Sequence, residues 1–195
     1  MKFRPLSILE PEFELTDEDF KEIEYILKMR VGIQLADGAQ KLVIARLSKN
    51  LKRSGSKNFN EYLNLVKSGE GKAEKNLMIN ALTTNTTHFF REKGHFELLE
   101  THFMKRLILK AKGGKRVRLW SAACSSGQEA YSIAASVVRL FPDVHNYDFR
   151  ILATDINTDM LDGAKLGLYD FNCLKNFFMT KIQRLLNPVK LLLIY

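Results

Sequence analysis

The order of apolar runs and turns over residues 117–155 constrains this chain more than any other feature. Residues 117–123 alternate and then run apolar, as a buried strand does. Residues 125–128 form a turn of small side chains, residues 129–140 have helical spacing, and residues 149–154 make a second apolar run that stops at Asp155. Strand, turn, helix, strand in this order predicts two parallel strands joined by a right-handed crossover. In an open α/β sheet, ligands bind beyond the C-terminal ends of the strands, and small residues directly after a strand let a ligand approach the backbone. An acid ending the second strand can accept hydrogen bonds from both hydroxyls of a ribose.

The turn is not a dinucleotide fingerprint. It holds one glycine, Gly127, and no phosphate-cradling pattern. A ligand with a ribose and no pyrophosphate fits better, and S-adenosylmethionine is of that kind. As pattern alone, the same turn serves any α/β sheet with small residues at that place.

Upstream the spacing is helical throughout. Thr16 can cap a helix that opens on Asp17, Glu18 and Asp19, carries Phe20, Ile23, Ile26 and Leu27 on one side, and ends at Val31-Gly32. A second helix is predicted over residues 40–53. At 100° per residue from Lys41, its apolar positions Val43, Ile44, Leu47 and Leu51 fall between about 200° and 300°, and Lys41, Arg46, Lys49, Lys52 and Arg53 between about 0° and 140°. Asn58 and Glu61 suggest a capping box for a third helix with Phe59, Tyr62, Leu63 and Val66 inward. A fourth follows over residues 72–82. After a polar segment, an amphipathic helix carrying Phe96, Leu99, Phe103 and Leu107 runs to Gly113-Gly114.

The polar segment reads Thr83-Thr84-Asn85-Thr86-Thr87-His88-Phe89-Phe90-Arg91-Glu92. Two aromatics beside an arginine can form a site wall and a carboxylate anchor, since guanidinium holds a carboxylate bidentately. Spacing alone favours the plainer alternative, with Phe89 and Phe90 in a core and Arg91 solvated.

Three segments, residues 83–92, 119–133 and 151–161, resemble the CheR family of chemotaxis-receptor glutamate methyltransferases. Thr-Thr-Asn-x-Thr-x-Phe-Phe-Arg-Glu and Trp-Ser-Ala-Ala-x-Ser-x-Gly-x-Glu-x-Tyr-Ser occur in that family's order and spacing. The resemblance implies an α/β fold class: a helical, receptor-docking domain over residues 1–82, linker included, and a Rossmann-like, S-adenosylmethionine-dependent methyltransferase domain, incomplete, over 83–195. It implies S-adenosylmethionine as methyl donor, with S-adenosylhomocysteine as product, and receptor glutamates as acceptors. Cofactor contacts then fall on Asn85, Thr87, Arg91, Glu129 and Asp155. Asp155 takes the ribose hydroxyls, and Glu129 helps anchor the cofactor, through its amino group. Arg91 lies beside the methionine part and is the candidate catalytic residue. The basic face of Lys41, Arg46, Lys49, Lys52 and Arg53 matches the family's receptor-facing element. An acidic helical bundle is a sensible partner for it. Without the resemblance a solvated helix face is the commoner explanation.

The net charge of +8 favours an acidic partner, but no nucleic-acid motif is present. Only two cysteines, Cys124 and Cys173, argue against a disulfide framework and for a reducing, cytoplasmic compartment. No Cys/His cluster has metal-ligand spacing, so no metal is expected. No apolar run approaches the ~20 residues of a membrane span. Cys124 reads as packing beside the turn, and His88, His95, His102 and His145 as helix or surface residues. About forty residues follow Asp155, and from residue 171 the family pattern is not recognisable, so a shortened or divergent C-terminal part is expected. One strand over 189–195 is predicted, in the slot of the family's next central strand. A first strand lacking a neighbour exposes an edge, through which copies of the chain can associate. The alternative to an enzyme is a non-catalytic receptor-binding or signalling module.

Overall fold

A computed structural model describes residues 12–69, 71–170 and, as backbone, 190–194. Cys173 and the tail cations Lys175, Lys181 and Arg184 lie outside the described residues. The chain divides into two compact units between Thr83 and Thr84.

The first unit contains four helices among the described residues: α1 (Asp17–Val31), α2 (Gln40–Ser54), α3 (Phe59–Lys67) and α4 (Lys72–Leu82). Their ends follow local chemistry. The Asp19 N–H donates to Thr16 Oγ1 at 3.1 Å, and α1 stops where Gly32 turns left-handed. Asn58 Oδ1 accepts the Glu61 N–H at 2.8 Å. The Glu61 carboxylate reaches back to the Lys57 N–H, one residue before the position a capping box requires. Ile23 and Leu27 of α1, Val43, Leu47 and Leu51 of α2, and Phe59, Tyr62 and Leu63 of α3 meet Met78 of α4 in one core. Each such side chain contributes about 1.5–3 kcal/mol on burial.

The second unit is α/β. Helix α5 (Lys93–Leu98) runs through a π-turn (Leu99–Phe103) into α6 (Met104–Lys112). Strand β1 (Val117–Ala122), α7 (Gln128–Leu140), β2 (Phe149–Thr154), α8 (Thr158–Leu166) and β3 (Lys190–Ile194) follow. The π-turn corrects the expected continuous helix. The Met104 N–H reaches Leu99 O, five residues back, so the wider turn advances the phase. Met104 goes inward at 1% exposure, and Phe103, expected inward, is 52% exposed. The turn also lets Glu100 accept from Ser136 Oγ at 2.8 Å and pair with Arg139.

The sheet order is β1-β2-β3, all parallel, with Val117 opposite Phe149 and Arg150 opposite Lys190. Strand β3 therefore pairs with β2 and not in the slot beside β1. Consecutive strands commonly lie side by side, and α8 packs against β3 as the crossover. Strand β1 is an edge among the described residues. One sheet face, with Val117, Phe149 and Ile151, packs on Met104 and Ala111 of α6 and on Ala134, Val137 and Val138 of α7. The other carries Arg118 and Trp120, the latter 66% exposed, so β1 is buried on one face only. The Trp120 indole N–H donates across the strands to Thr154 Oγ1 at 3.0 Å.

Candidate functional site

Beyond β1 the chain reaches α7 through a turn that alternates into the left-handed region: Ala123 has φ +60°, Ser125 φ +50° and Gly127 φ +95°. For a residue with a Cβ this conformation costs roughly 1–2 kcal/mol. Hydrogen bonds to the end of β2, within the turn and to the 85–91 segment hold it. Cys124 N–H donates to Thr154 O at 2.9 Å, and Gly127 N–H to Cys124 O at 2.9 Å. Ser125 N–H donates to Asp155 Oδ2 at 2.6 Å, and Ser125 Oγ to Asn85 O at 2.9 Å. The end of β2 thus fixes the turn that follows β1.

Asp155 accepts with both oxygens, since its Oδ1 takes the Asn157 N–H at 2.8 Å. Asn157 in turn caps α8, accepting from the N–H groups of Asp159 and Met160. An ionised carboxylate has about four acceptor positions. Two backbone donors therefore leave room for two hydroxyls. The Ser125 N–H, which a phosphate would need at this turn, is already engaged.

Gly127 is required by its neighbours as well as by its φ. A Cβ there would lie 2.8 Å from Tyr169 Oη, 2.9 Å from Ala164 Cβ and 3.0 Å from Tyr131 Cε2. Tyr169 donates to Ser126 O, and Tyr131 to Ala164 O, both at 2.6 Å. Burial raises both phenol pKa values. Both stay neutral donors that buttress the turn.

Glu129 sits in the first turn of α7, where the helix dipole favours an acid. It is exposed, and its Oε1 accepts the Ser121 hydroxyl at 2.6 Å. Asn85 joins the site through its carbonyl on Ser125, and Thr87 is half-buried in the same segment. Arg91 lies between two left-handed residues, Phe90 (φ +51°) and Glu92 (φ +57°). Its guanidinium donates to Thr86 O at 2.7 Å and lies 3.8 Å from the Glu92 carboxylate. The Phe90 N–H donates to Ser132 Oγ at 3.0 Å. The Phe89 ring stands edge-on to Tyr169 at 5.0 Å, and Phe90 packs on Phe96 at 4.8 Å. The aromatics are therefore half-buried packing, and Arg91 is exposed.

Ser125 and Ser132 thus tie the 85–91 segment to the turn and to α7. Ser121 and Ser132 stand in the motif over residues 120–132 without an assigned role, and Tyr169 carries no sequence signal. A serine inside a helix, one turn after the candidate acid Glu129, is the one local signal. Cys124 is 1% exposed. Burial, aided by the Asp155 charge, raises its thiol pKa to about 11, which leaves it inert as a nucleophile near neutrality.

The basic residues of α2 behave differently from one another. Arg46 donates to Leu82 O and Thr83 O at 2.8 and 3.1 Å, capping the last carbonyls of α4. Arg53 binds the largely buried Glu74 at 2.7 Å. At about 140° and 120° on the helical projection, these two flank the apolar arc on the side of α4, whereas Lys41 and Lys52 flank its other side. Lys52 pairs with Glu12. Lys41 and Lys49 are exposed and pair with no acid among the described residues.

Two family descriptions match the chain: "CheR methyltransferase, all-alpha domain" over residues 18–83 and "CheR methyltransferase, SAM binding domain" over residues 85–188. A "Probable chemotaxis protein methyltransferase" of Rhizobium etli is 49% identical over 144 residues, covering 74% of this chain and 54% of that protein. The "Chemotaxis protein methyltransferase" of Escherichia coli is 38% identical over 170 residues, covering 87% of this chain and 57% of that protein. "Chemotaxis protein methyltransferase 2" of Pseudomonas aeruginosa is 39% identical over 160 residues, covering 81% and 54%. The chain spans about half the length of these relatives.

Proposed function

The chain belongs to the CheR methyltransferase family, and from that premise we propose that it serves S-adenosylmethionine-dependent methylation of glutamate side chains in chemotaxis receptors, on their cytoplasmic helical bundle. The observation that carries this reading is Asp155, which ends β2 with both oxygens on backbone N–H groups and acceptor capacity to spare. The donor set suits the cofactor. Asp155 accepts the ribose hydroxyls, Glu129 offers Oε2 to the amino group, and Asn85 and Thr87 line the approach. Arg91 orients carboxylates, as a guanidinium does well. When bound, S-adenosylmethionine supplies a methyl group already activated by its sulfonium.

The protein's own part in the chemistry is then small. A glutamate carboxylate, with a pKa near ~4.3, is ionised at neutral pH, so no general base is needed. Asp155, Glu129, Asn85 and Thr87 would hold the cofactor, which would supply the methyl group, and none of these residues would have to move a proton. The site has to hold oxygen, carbon and sulfur in line and exclude water. Arg91 is the residue proposed to aim the substrate carboxylate. Lys41, Lys49 and Lys52 are the cations of α2 that remain at the surface for an acidic receptor helix. Arg46 and Arg53 support that surface through α4.

A second reading is a receptor-binding module without catalysis, which rests on the helical unit having a core of its own. The edge that β1 presents among the described residues also suits pairing with a second copy, which sedimentation at several concentrations would detect. Titration calorimetry with S-adenosylhomocysteine, then transfer of labelled methyl to a receptor fragment, separates the readings. Binding with transfer supports the enzyme, and receptor binding without transfer supports the module. No heat and no thermal shift would sink the cofactor assignment.

A further inference from the structure

We infer that Ser132 is a positioning residue: its buried hydroxyl sets where Arg91 stands relative to Glu129. The inference rests on the cofactor reading above for its functional meaning, and on geometry alone for the positioning itself. Ser132 is 0% exposed. Its hydroxyl donates to Gln128 O at 2.7 Å, which orients the proton along α7 and leaves a lone pair facing outward from the helix. That lone pair accepts the Phe90 N–H at 3.0 Å. Phe90 and Glu92 are both left-handed, and neither is glycine, so the turn that carries Arg91 does not hold itself. Among the described residues the turn also has local polar ties, such as Arg91 N–H to His88 O at 3.3 Å and the guanidinium to Thr86 O at 2.7 Å. Ser132 instead reaches from a different element, 42 residues along the chain.

The position of this serine matters. Glu129 and Ser132 are three residues apart on α7, hence on one side of the helix. Glu129 is held by the Ser121 hydroxyl, and the Phe90 N–H, next to Arg91 in the chain, by Ser132. The two hydroxyls tie the acid to β1, and the turn that bears the guanidinium to α7. A ligand bearing both an ammonium and a carboxylate needs both groups held in place. Serine has poor intrinsic reason to occupy a helix interior, and a buried hydroxyl that both donates and accepts supplies the reason.

The test uses the full chain with Ser132→Ala, and Ser136→Ala as comparator. Ser136 is equally buried on the same helix, but its hydroxyl serves Glu100. Amide hydrogen exchange without ligand is read over residues 88–92. Ser132→Ala should speed exchange there about tenfold, the order expected for one lost hydrogen bond, and Ser136→Ala should leave it unchanged. With S-adenosylhomocysteine, Ser132→Ala and Arg91→Ala should each weaken binding, and the double variant should be no weaker than Arg91→Ala alone. Unchanged exchange at residues 88–92, or equal losses of affinity from Ser132→Ala with and without Arg91, would overturn the inference. Absence of binding by the unaltered chain would count against the cofactor reading instead, and the exchange result then decides Ser132 by itself. If Ser132→Ala does not fold, Ser132→Cys keeps the volume with a poor acceptor and takes its place.

Discussion

Replacing Asp155 with alanine should cost folding stability before it costs affinity. The carboxylate accepts two backbone N–H bonds, from Ser125 at 2.6 Å and Asn157 at 2.8 Å. Hydrogen bonds to a charged group contribute about 1.5–3 kcal/mol each. The group is half-buried, so water recovers part of that, and a net loss of about 2–4 kcal/mol is expected. Without the clamp, Ser125 keeps little beyond its hydroxyl bond to Asn85 O against the strain of φ +50°, and the turn relaxes away from the shape a ligand meets. Urea unfolding followed by circular dichroism measures the first effect. The second appears as loss of S-adenosylhomocysteine affinity under strongly native conditions, by about 1–3 kcal/mol beyond the unfolding term. Asp155→Asn keeps one acceptor oxygen, turns the other group into a donor facing an N–H, and should fall no closer to the unaltered chain than halfway. A midpoint for Asp155→Ala within error of the unaltered chain would refute the clamp. Lost stability with intact affinity would refute the ribose assignment alone.

Three further outcomes follow from the same geometry. Arg46→Ala removes two charged donors from the carbonyls of Leu82 and Thr83 and should destabilise the helical unit by about 1–3 kcal/mol, whereas Lys49→Ala should stay within ~0.5 kcal/mol; equal urea midpoints would contradict the division of the basic face. Cys124, with its thiol at about pH 11, should resist a thiol reagent at pH 8 in a Cys173→Ser background until the chain unfolds, and prompt labelling of native protein would show the burial to be wrong. The hydrogen bond from Arg118, with the charges of Arg118, Arg150 and Arg116, holds the Asp148 carboxyl below its ordinary range. A depressed carboxyl stabilises the fold fully above its unfolded value near ~3.9 and loses that contribution as pH falls through the lower folded one. The acid limb of stability below about pH 4 should therefore flatten in Asp148→Asn, and an unaltered limb would argue against the cluster.

Much of the architecture was legible because it rests on periodicity and caps. Helices α1 to α4 follow from Thr16, Gly32, Asn58 and the apolar stripes, and β1, α7 and β2 from the change of period after Gly114. Phe103 escaped because a π-turn adds a residue to one helical turn, and nothing in an apolar stripe marks where that happens. Arg46 and Arg53 look equivalent to the lysines on a wheel, yet they stand on the side of α2 that faces α4 and reach its last carbonyls and Glu74. The tail strand was legible as a strand, but its partner was not, since pairing with β2 depends on the crossover through α8.

The candidate site was legible in its acids and arginine and hidden in what holds them. Ala123, Ser125, Phe90 and Glu92 occupy left-handed backbone that sequence reading assigns to glycine. At roughly 1–2 kcal/mol apiece, such strain survives only where surrounding bonds over-determine the chain. Here those bonds come from rigid elements: Asp155 and Thr154 O at the end of β2, and Ser132 from inside α7. Glycine at the same four positions would adopt the turns more easily but would also leave them freely. Side chains that dislike the conformation, pinned by a strand end and a helix, give turns with few alternatives. That is what a site needs when its task is to hold two reacting atoms in line and to move no proton.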